Sequence, residues 1–567
     1  MAISDNTSLS ERDAVLKHPS ASVWPSVEIA SDGEGPAEEE WKPSKHEKAI
    51  IYVLAFLNLI VSLDASIIVT SLNTISRDLG ATTTQAFWIG TSYLLVNAVT
   101  MPMMCSVSDI IGRPICLTFS IAVFTLGTIL CCTAQNITVM LVGRCIQGVG
   151  GGGIHSLGLV IHTDFVPLRW RPKWYSVTLA AWAVGLSIGP VTGGSIAQRT
   201  TWRWIFYLMF PICGFGLIVV PYLLTLRPKQ ATIQEKLKRI DWLGGFVFTS
   251  SATAFLLAVS WGGSQYSWDS AATLVPLILG TVGLIAVAFY VAYIAKYPFI
   301  PGSLFRDVSS IITYICAFFQ GMLLYGQLYY CPFYLMAVKR FTPINAGVAT
   351  LSNLLTFAIA SIITGRLVTR VNNFRWAIWV GWFFSSVGAA MYIIWRVNDS
   401  APVWVIGYVI SGLSHGAVLT AQNFGVQAMC KPGDEGAAAT MYIFARQFGM
   451  AIGVGTGAST FQNAMKLKLR WDGLPTDIAD RAEVFYMREI LGLADSARDA
   501  VYDAYKFGFQ IVFATWLGIS VLALFLTLVF VKHADMNRKL DTEHRIDSTR
   551  MFRHWARKQS ATNGVGK

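Results

Sequence analysis

The sequence predicts an all-α polytopic membrane protein whose chain crosses the bilayer fourteen times. Hydrophobic residues make up 54% of the 567 residues and charged residues only 14%, whereas charged residues make up about 25% of an average soluble domain. The mean hydropathy is +0.50. The apolar residues also fall into fourteen separate segments, and Lys and Arg concentrate in alternate loops between them.

The predicted spans follow from the length of the apolar segments. A helix needs about 20 predominantly apolar residues to cross the hydrocarbon core of a bilayer. Segments of that length lie at residues 49–72, 86–107, 114–134, 138–161, 175–197, 204–226, 242–261, 272–294, 310–336, 345–366, 375–395, 403–427, 437–461 and 508–531.

Loop charge predicts the orientation of the chain, because Lys and Arg in short loops favour the cytosolic side. Lys42, Lys45 and Lys48 precede the first span and predict a cytosolic N-terminus. With an even number of spans, the C-terminus is also expected in the cytosol. The predicted cytosolic loops then hold fifteen Lys and Arg residues, and the short outer loops hold six.

A basic stretch at residues 227–239 separates the first six spans from the remaining eight. The polar N-terminal stretch has no early apolar core with a cleavage site, so the first span is expected to act as an uncleaved anchor. We predict a disordered cytosolic tail at 1–48, a six-helix half at 49–226, a basic linker with two additional spans at 227–298, a second six-helix half at 299–531 with a long outer loop at 463–507, and a basic cytosolic tail at 532–567.

Several classes of function are disfavoured. All nine cysteines fall within or at the ends of apolar segments, so we expect small core residues and no metal site. No Walker A loop, phosphate-binding glycine loop or catalytic triad signature occurs, so we expect no enzyme, no cofactor and no ATP-driven transport. Topology accounts for the net charge of +11, so we expect no nucleic-acid partner.

A run of small residues with one proline lies inside the fifth predicted span: Gly185, Gly189, Pro190, Gly193 and Gly194. Small residues let another helix approach closely, and the proline removes one backbone hydrogen bond, so we predict a bent and tightly packed span. The run resembles the antiporter motif G-x-x-x-G-P-x-x-G-G of major facilitator superfamily exporters, which implies a role in transport direction. The alternative is a helix-packing seam without such a role.

Two charged residues lie deep inside predicted spans. An unpaired charge such as Asp64 in span 1 costs roughly 2.5–3.5 kcal/mol or more, and Arg144 in span 4 stays charged at any accessible pH. Measured from the outer ends of their spans, the two lie roughly 15 and 9 Å deep at 1.5 Å per residue. A direct or water-bridged pair is therefore geometrically possible. The alternative is that Asp64 lines a wet outer vestibule or is protonated and inert.

The sequence around these two charges resembles one family. Residues Leu63–Ile68 resemble the L-D-x-T-I-V signature, and Arg144–Gly150 resembles the R-x-x-Q-G-x-G motif, of fourteen-span drug:proton antiporters in the major facilitator superfamily. The resemblance covers residues 49 to about 531. It implies the major facilitator fold, with two six-helix halves plus two extra linker helices. Asp64 and Arg144 are the predicted proton-coupling residues.

The turn after span 2 resembles the cytosolic loop motif of the same superfamily. Asp109, Gly112, Arg113 and Leu117 match G-x-L-x-D-R-x-G-R-x-x-x-L. An acid and a base at such a corner can form ion pairs between helices that hold one access state. We therefore predict a cytosolic gate at Asp109, Gly112 and Arg113. The alternative for Arg113 is a simple positive charge that anchors the loop in the cytosol.

A substrate cavity is expected near the middle of the membrane, between the two halves. Aromatic side chains and amides with few charges suit amphipathic, weakly charged organic molecules. The alternative for each residue is a hydrogen bond between helices. His415 is interpreted as a hydrogen-bonded packing residue, with proton coupling as its alternative. The candidate cavity residues are Gln320, Tyr325, Gln327, Asn353, Gln422, Asn423 and Arg446.

The resemblance implies a proton-coupled exporter of small amphipathic organic compounds, of the kind represented by fungal multidrug and toxin efflux pumps. Its cargo would be drugs, toxins or fungal secondary metabolites. The expected partners are the organic substrate, the proton and the lipid bilayer, and we expect a monomer. The expected location is the plasma membrane, with the vacuolar membrane as the alternative. The alternative functions are import of a siderophore or another small solute, and a non-transporting receptor or scaffold.

The predicted topology can be tested by cysteine labelling. A cysteine introduced at Gly473 should react with an impermeant thiol reagent on intact cells, because the long loop at 463–507 is expected outside. A cysteine at Gln230 should react only after permeabilisation. The unsubstituted chain, with its nine cysteines, provides the background signal. Labelling of Gln230→Cys on intact cells would contradict the topology.

Overall fold

The computed structural model describes residues 41–81, 83–224, 235, 238–262, 266–396, 399–480, 482 and 495–537. Nearly all of both predicted tails and the centre of the loop at 463–507 therefore lie outside the described residues. Fourteen long helices coincide in order with the fourteen predicted spans. They are α1 Lys45–Asp78, α2 Thr83–Ile111, α3 Arg113–Cys132, α4 Ile137–Phe165, α5 Arg171–Arg199, α6 Phe210–Leu223, α7 Trp242–Trp261, α8 Ala271–Tyr293, α9 Val308–Ala337, α10 Pro343–Val371, α11 Arg375–Ile393, α12 Ala401–Met429, α13 Glu435–Trp471 and α14 Asp495–Phe530.

The all-helical membrane architecture is confirmed. In the described part of the chain, thirteen of these helices are long and apolar enough to cross a membrane, if the one-turn helix Trp204–Tyr207 is counted with α6. The exception is α13, whose 37 residues include Arg446, Gln447 and several glycines. Most of its residues are buried against other helices. A helix that contacts protein rather than lipid does not need a continuously apolar surface.

The helices form two bundles with one pair beside them. Helices α1–α6 pack mainly against one another, and so do α9–α14, while α7 and α8 pair and α7 also contacts α2 and α13. The two bundles meet where α5 packs against α10 and α12 and where α13 packs against α2 and α4. At the first of these contacts, the rings of Trp182 in α5 and Phe357 in α10 are 5.8 Å apart between centroids.

Glycines let α1 and α5 approach until backbone touches backbone. A Cβ atom at Gly185 would lie 2.5 Å from the carbonyl oxygen of Leu59 in α1, and one at Gly189 would lie 2.9 Å from the backbone nitrogen of Ile67. A Cβ at Gly193 would overlap the carbonyl oxygen of Ile67. Only glycine fits at these three positions, which are spaced four residues apart and share one face of α5. We call this contact the α1–α5 seam.

The other side of α5 faces the second bundle. Pro190 lies inside the continuous helix α5, and its Cβ is 4.0 Å from the position that a Cβ on Gly347 of α10 would occupy. Its carbonyl oxygen accepts a hydrogen bond of 2.7 Å from Thr70 Oγ1 in α1. The Pro190 segment of α5 thus contacts a helix from each bundle.

An ion pair and an indole hydrogen bond join the end of α1 to the loop that follows α5. Trp202 Nε1 donates a 2.7 Å hydrogen bond to Asp78 Oδ2, and Arg203 lies 3.3 Å from the same oxygen. The bond from Trp202 holds the pKa of Asp78 below its ordinary value. Because Trp202 is buried and Trp204 is exposed, only the second indole has the exposure that an aromatic belt at a membrane interface requires.

The α1–α5 seam predicts that a large side chain at Gly189 separates the helices. Gly189→Leu should destabilise the protein by about 1–3 kcal/mol or more, because an overpacked core forces backbone shifts. Gly214→Leu in α6 is the matched control, because no atom lies within 4 Å of a Cβ at Gly214. Thermal unfolding of the purified proteins in detergent measures the difference. Equal midpoints for the two variants would contradict the packing described here.

Candidate functional site

The predicted pair of intramembrane charges is in direct contact. Arg144 Nη1 donates to Asp64 Oδ2 at 2.7 Å, and both side chains are fully buried. A buried ion pair is stable only if its remaining donors and acceptors also find partners. The neighbouring residues of α2, α3 and α4 supply several of them.

Gln147, one helical turn after Arg144, completes the arrangement around the carboxylate. Its Nε2 donates to Asp64 Oδ1 at 3.0 Å and to Thr128 Oγ1 at 2.9 Å, while its Oε1 accepts from Arg144 Nη1 at 2.6 Å. Both oxygens of Asp64 therefore have donors. Arg144 Nε donates to the carbonyl oxygen of Ile89 at 3.0 Å, and its guanidinium lies 4.4 Å from the centre of the Tyr93 ring. We call Asp64, Arg144 and Gln147 the carboxylate network.

The glycine-rich sequence after Gln147 explains why α4 reaches Asp64. A Cβ at Gly150 would overlap the backbone of Phe124 in α3, and one at Gly152 would lie 2.5 Å from the carbonyl oxygen of Asn97 in α2. Helix α4 is thereby held close to both neighbours. On the other side, the α1–α5 seam fixes α1 at the level of Asp64, where Ser66 Oγ donates to the carbonyl oxygen of Gly185 at 3.3 Å.

A second cluster of charges lies at the turn between α2 and α3. Arg113 pairs with Asp109 one helical turn before it and with Asp164 at the end of α4, at 3.1 Å. Its Nη1 also donates a hydrogen bond of 2.6 Å to Ser108 Oγ. Gly112 joins the two helices with φ of 125°, a conformation that residues with a Cβ rarely adopt. The three predicted gate residues thus lie together at one turn, and Asp164 contacts this group through Arg113.

The two bundles are linked at the same end of the molecule. Arg171 Nε and Nη2 donate to the carbonyl oxygens of Val166 and Thr163 at 2.7 Å each, and Nη1 donates to Gln427 Oε1 of α12 at 3.0 Å. Cys105 Sγ of α2 lies 4.0 Å from the carbonyl oxygen of Gly436 in α13. We call this part of the molecule the Arg113 end.

Three of the candidate cavity amides are used in bonds between or within helices. Gln327 Oε1 accepts from Ser411 and lies 3.0 Å from His415 Nε2, which gives His415 the hydrogen-bonded environment expected for it. Asn353 Nδ2 donates to the carbonyl oxygen of Tyr408 at 3.2 Å. Asn423 Oδ1 accepts from Gln427 Nε2 at 3.1 Å. The contacts of Gln327 and Asn353 agree with the alternative in which such amides join helices, whereas the bond of Asn423 lies within α12.

The other candidates differ. Both amide atoms of Gln320 and of Gln422 are buried and have no hydrogen-bond partner in the described structure. Arg446 Nη2 lies 3.3 Å from His155 Nε2 of α4, and the guanidinium lies 5.0 Å from the Trp182 ring centre. Tyr325 of α9 is close to Arg446. The next residue, Gln447, donates to Asn97 Oδ1 of α2 at 3.3 Å. Arg446 and Gln447 thus form part of the contact between the bundles.

The sequence pattern pointed to some of these residues and missed others. Gln147 was part of a recognised motif, and its spacing of three from Arg144 indicates a shared helix face. Arg171 is one of the fifteen Lys and Arg residues of the predicted cytosolic loops, yet its side chain is buried. Neither Asp164 nor His155 lies in a recognisable sequence motif, because the role of each depends on a partner on another helix.

The fold and the buried carboxylate network define a multi-pass membrane protein built from two packed helical bundles. A family model described as Major Facilitator Superfamily matches residues 54–454. The chain therefore belongs to the major facilitator superfamily and is a transporter.

Curated relatives cover nearly the whole chain. MFS transporter L2 from a Phoma species is 35% identical over 520 residues, which are 90% of this chain and 86% of that protein. MFS-type efflux pump LUC4 from a Fusarium species is 31% identical and covers 92% and 94% of the two chains. MFS efflux transporter aclA from Aspergillus oryzae is 30% identical, with 91% and 96% covered.

Solved structures share the fold at low sequence identity. The human organic anion transporter MFSD10 (TETRAN) superposes with a TM-score of 0.55 at 17% identity, covering 86% of this chain and 100% of that chain. A bacterial homologue of the human lysosomal transporter Spinster, inward-facing and occupied, has a TM-score of 0.52 at 16% identity, covering 86% and 97%.

The carboxylate network predicts strong coupling between Asp64 and Arg144. Removing one partner of a buried pair should cost about 3–5 kcal/mol, because the other charge stays buried and unpaired. Asp64→Asn and Arg144→Gln should therefore each destabilise the protein, and the double variant should cost less than the sum. Thermal unfolding of all three in detergent tests this. Lys468→Gln is the control, because its pair with Asp472 is partly exposed and worth about 0.5 kcal/mol. Additive effects at Asp64 and Arg144 would contradict the prediction.

Proposed function

We propose that this chain is a proton-coupled secondary active exporter of small amphipathic organic compounds. Its cargo would be drugs, toxins or fungal secondary metabolites. The observation that carries the proposal is the carboxylate network, a buried acid whose two oxygens are held by Arg144 and Gln147 of a single neighbouring helix. An ionisable side chain inside a membrane bundle marks an ion or proton pathway by default.

The names of the relatives support export as the direction. LUC4 and aclA are described as efflux proteins, and another relative, from Aspergillus aculeatus, is named after an acurin A biosynthesis cluster and is 33% identical over 441 residues. The small-residue run in α5 that resembles an antiporter motif agrees with this direction. The chemical nature of the cargo is inferred from the aromatic and amide side chains at the contact between the bundles.

Asp64 can alternate between two arrangements. In the ionised form its charge is balanced by Arg144 and it accepts hydrogen bonds from Arg144 and Gln147. A proton arriving at Asp64 removes the charge that holds Arg144, so the guanidinium and the amide are released to other partners. Since Arg144 cannot lose its own proton, the network changes its net charge only through Asp64. Proton binding and substrate binding would then exclude each other, so that one is exchanged for the other in each cycle.

The helix contacts offer a route from Asp64 to the second bundle. Any shift of α1 that accompanies protonation meets α5 directly, because the α1–α5 seam brings backbone atoms together and leaves room only for small side chains such as Ser62 and Ser66. On its other side α5 contacts α10 near Pro190 and Gly347. We infer that α5 carries the movement between the bundles and thereby couples proton binding to a change of access.

The Arg113 end would face the cytosol, with both termini on that side and the protein in the plasma membrane. In this orientation the bonds of Arg113 to Asp109 and Asp164, and of Arg171 to Gln427, hold the cytosolic side closed. Opening toward the cytosol would require the Arg171–Gln427 contact and the contact of α2 with α13 to separate. The vacuolar membrane is the alternative location.

Transport measurements on Asp64→Asn test the proposal. The cargo is first identified as the compound whose release depends on the protein, by comparing metabolites of cells with and without it. Its transport is then measured in sealed vesicles with an imposed pH gradient. We expect Asp64→Asn to bind this compound but not to concentrate it, because the amide cannot take up a proton.

Asp78→Asn is the matched control, since Asp78 lies on the same helix but is half exposed. It should retain gradient-driven transport. If Asp64→Asn still concentrates the compound with the pH dependence of the wild type, Asp64 is not the coupling residue. Accumulation in the opposite direction by the wild-type protein would indicate an importer.

A further inference from the structure

We propose that the exported compound carries an anionic group, such as a carboxylate, and that Arg446 binds this group at the contact between the two bundles. The inference rests on the proposed function, because it specifies the class of the cargo. Hydrogen bonds and charges around the four buried arginines of the described chain distinguish Arg446 from the other three.

Three of these arginines are well provided with partners. Arg144 pairs with Asp64 and donates to a carbonyl oxygen. Arg113 pairs with two carboxylates. Arg171 uses all three nitrogens, on two carbonyl oxygens and one amide oxygen. These three buried arginines are therefore either paired with a carboxylate, as Arg144 and Arg113 are, or hydrogen-bonded through every nitrogen, as Arg171 is.

Arg446 is the exception. It is 2% exposed, and its Nε and Nη1 have no hydrogen-bond partner in the described structure. Its only such contact is Nη2 with His155 Nε2 at 3.3 Å. A guanidinium keeps its charge even when buried, and leaving it without partners is costly. The protein therefore carries a buried positive charge with two free donor groups.

No carboxylate of the described residues balances this charge. The titratable side chains near the guanidinium are His155 of α4, Tyr175 of α5, Tyr325 of α9 and Tyr442 of α13, and none of these residue types is ordinarily anionic at neutral pH. The face of Trp182 at 5.0 Å offers only a weak attraction compared with a carboxylate. An anion that reaches Nε and Nη1 would supply both the missing charge and the missing acceptors.

The surroundings suit the rest of an organic anion. Two more buried side chains, Gln320 of α9 and Gln422 of α12, have free donor and acceptor atoms, and both helices pack against α13. The aromatic rings of Trp182 and Tyr325 near Arg446 supply apolar surface. Arginine favours carboxylate because its fork can donate two parallel hydrogen bonds. An aromatic or alicyclic compound with one carboxylate fits this combination.

The position of Arg446 relates the anion to the proton. His155 and Arg144 lie eleven residues apart on α4, a separation of roughly 16 Å at 1.5 Å per residue. Helix α4 therefore contacts both the anion position and the carboxylate network, although the two charges are separate.

Stability measurements provide the first test. If Arg446 is kept for a ligand, Arg446→Met should unfold at the same temperature as the wild type or higher, because it removes an uncompensated buried charge. Arg171→Met is the matched control. Arg171 is equally buried, but its hydrogen bonds hold the structure, so its loss should lower the midpoint by several degrees. A comparable loss for Arg446→Met would overturn the proposal in favour of a structural role.

Binding measurements provide the second test. The probes are pyrenebutyric, naphthoic and cinnamic acids, each compared with its own primary amide, and binding is followed on the purified full-length protein. At least one acid should bind the wild type roughly tenfold or more tightly than its amide, because a hydrogen bond to a charged group contributes about 1.5–3 kcal/mol. Arg446→Met should lose this preference, and Arg446→Lys should keep part of it.

Three outcomes would overturn the proposal. The first is a panel in which no acid is preferred over its amide, and the second is a preference that survives in Arg446→Met. The third is that chloride, added as sodium chloride, binds in a way that depends on Arg446, and that no acid binds more tightly. That result would assign the position to an inorganic ion. Binding needs no pH gradient. Failure of proton coupling in vesicles would therefore leave the binding result intact, and failure of binding would leave export intact.

Discussion

The structure depends on one electrostatic constraint, which is that a carboxylate buried among transmembrane helices must be balanced. Asp64 meets it through Arg144 and Gln147, one turn apart on α4. These side chains reach Asp64 because glycines bring α4 close to α2 and α3, and because the α1–α5 seam fixes α1 at the same height. The glycine runs of α4 and α5 thus have the same effect. Each lets neighbouring helices approach closely, with less side-chain packing, so that polar groups on those helices come into contact.

Helix α5 has a central place because both of its faces are engaged. One face touches α1 through backbone contacts at glycine positions, and the other packs against α10 along its length, from Pro172 beside Gly365 to Pro190 beside Gly347. Contacts made by backbone atoms and small hydroxyl side chains transmit a displacement rather than absorb it. A helix shared in this way ties the position of Asp64 to the arrangement of the second bundle.

Sequence patterns predicted the fold, the depth of the charges and a possible pair of Asp64 with Arg144, but not most of the other contacts between helices. Hydropathy and loop charge are properties of one helix at a time, so the spans and the approximate heights of Asp64 and Arg144 could be read directly. The rotation of each helix about its axis decides which side chains meet, and no single span encodes it. For that reason no sequence pattern indicates Asp164, His155 or the bond from Trp202 to Asp78. Likewise, neither span alone indicates that Gln327 meets His415, 88 residues away.

The composition of α13 has a consequence for how the protein is made. This helix is less apolar than the other thirteen and carries the buried Arg446 about three turns after its first residue, so it has little tendency to leave water for lipid on its own. Its glycines at 449 and 453 fit against the backbone of α9 at Phe318 and Met322, a surface that is synthesised more than a hundred residues earlier. Membrane insertion of α13 is therefore an assembly step, in which helices already in the bilayer, α9 above all, act as the solvent for the one that follows.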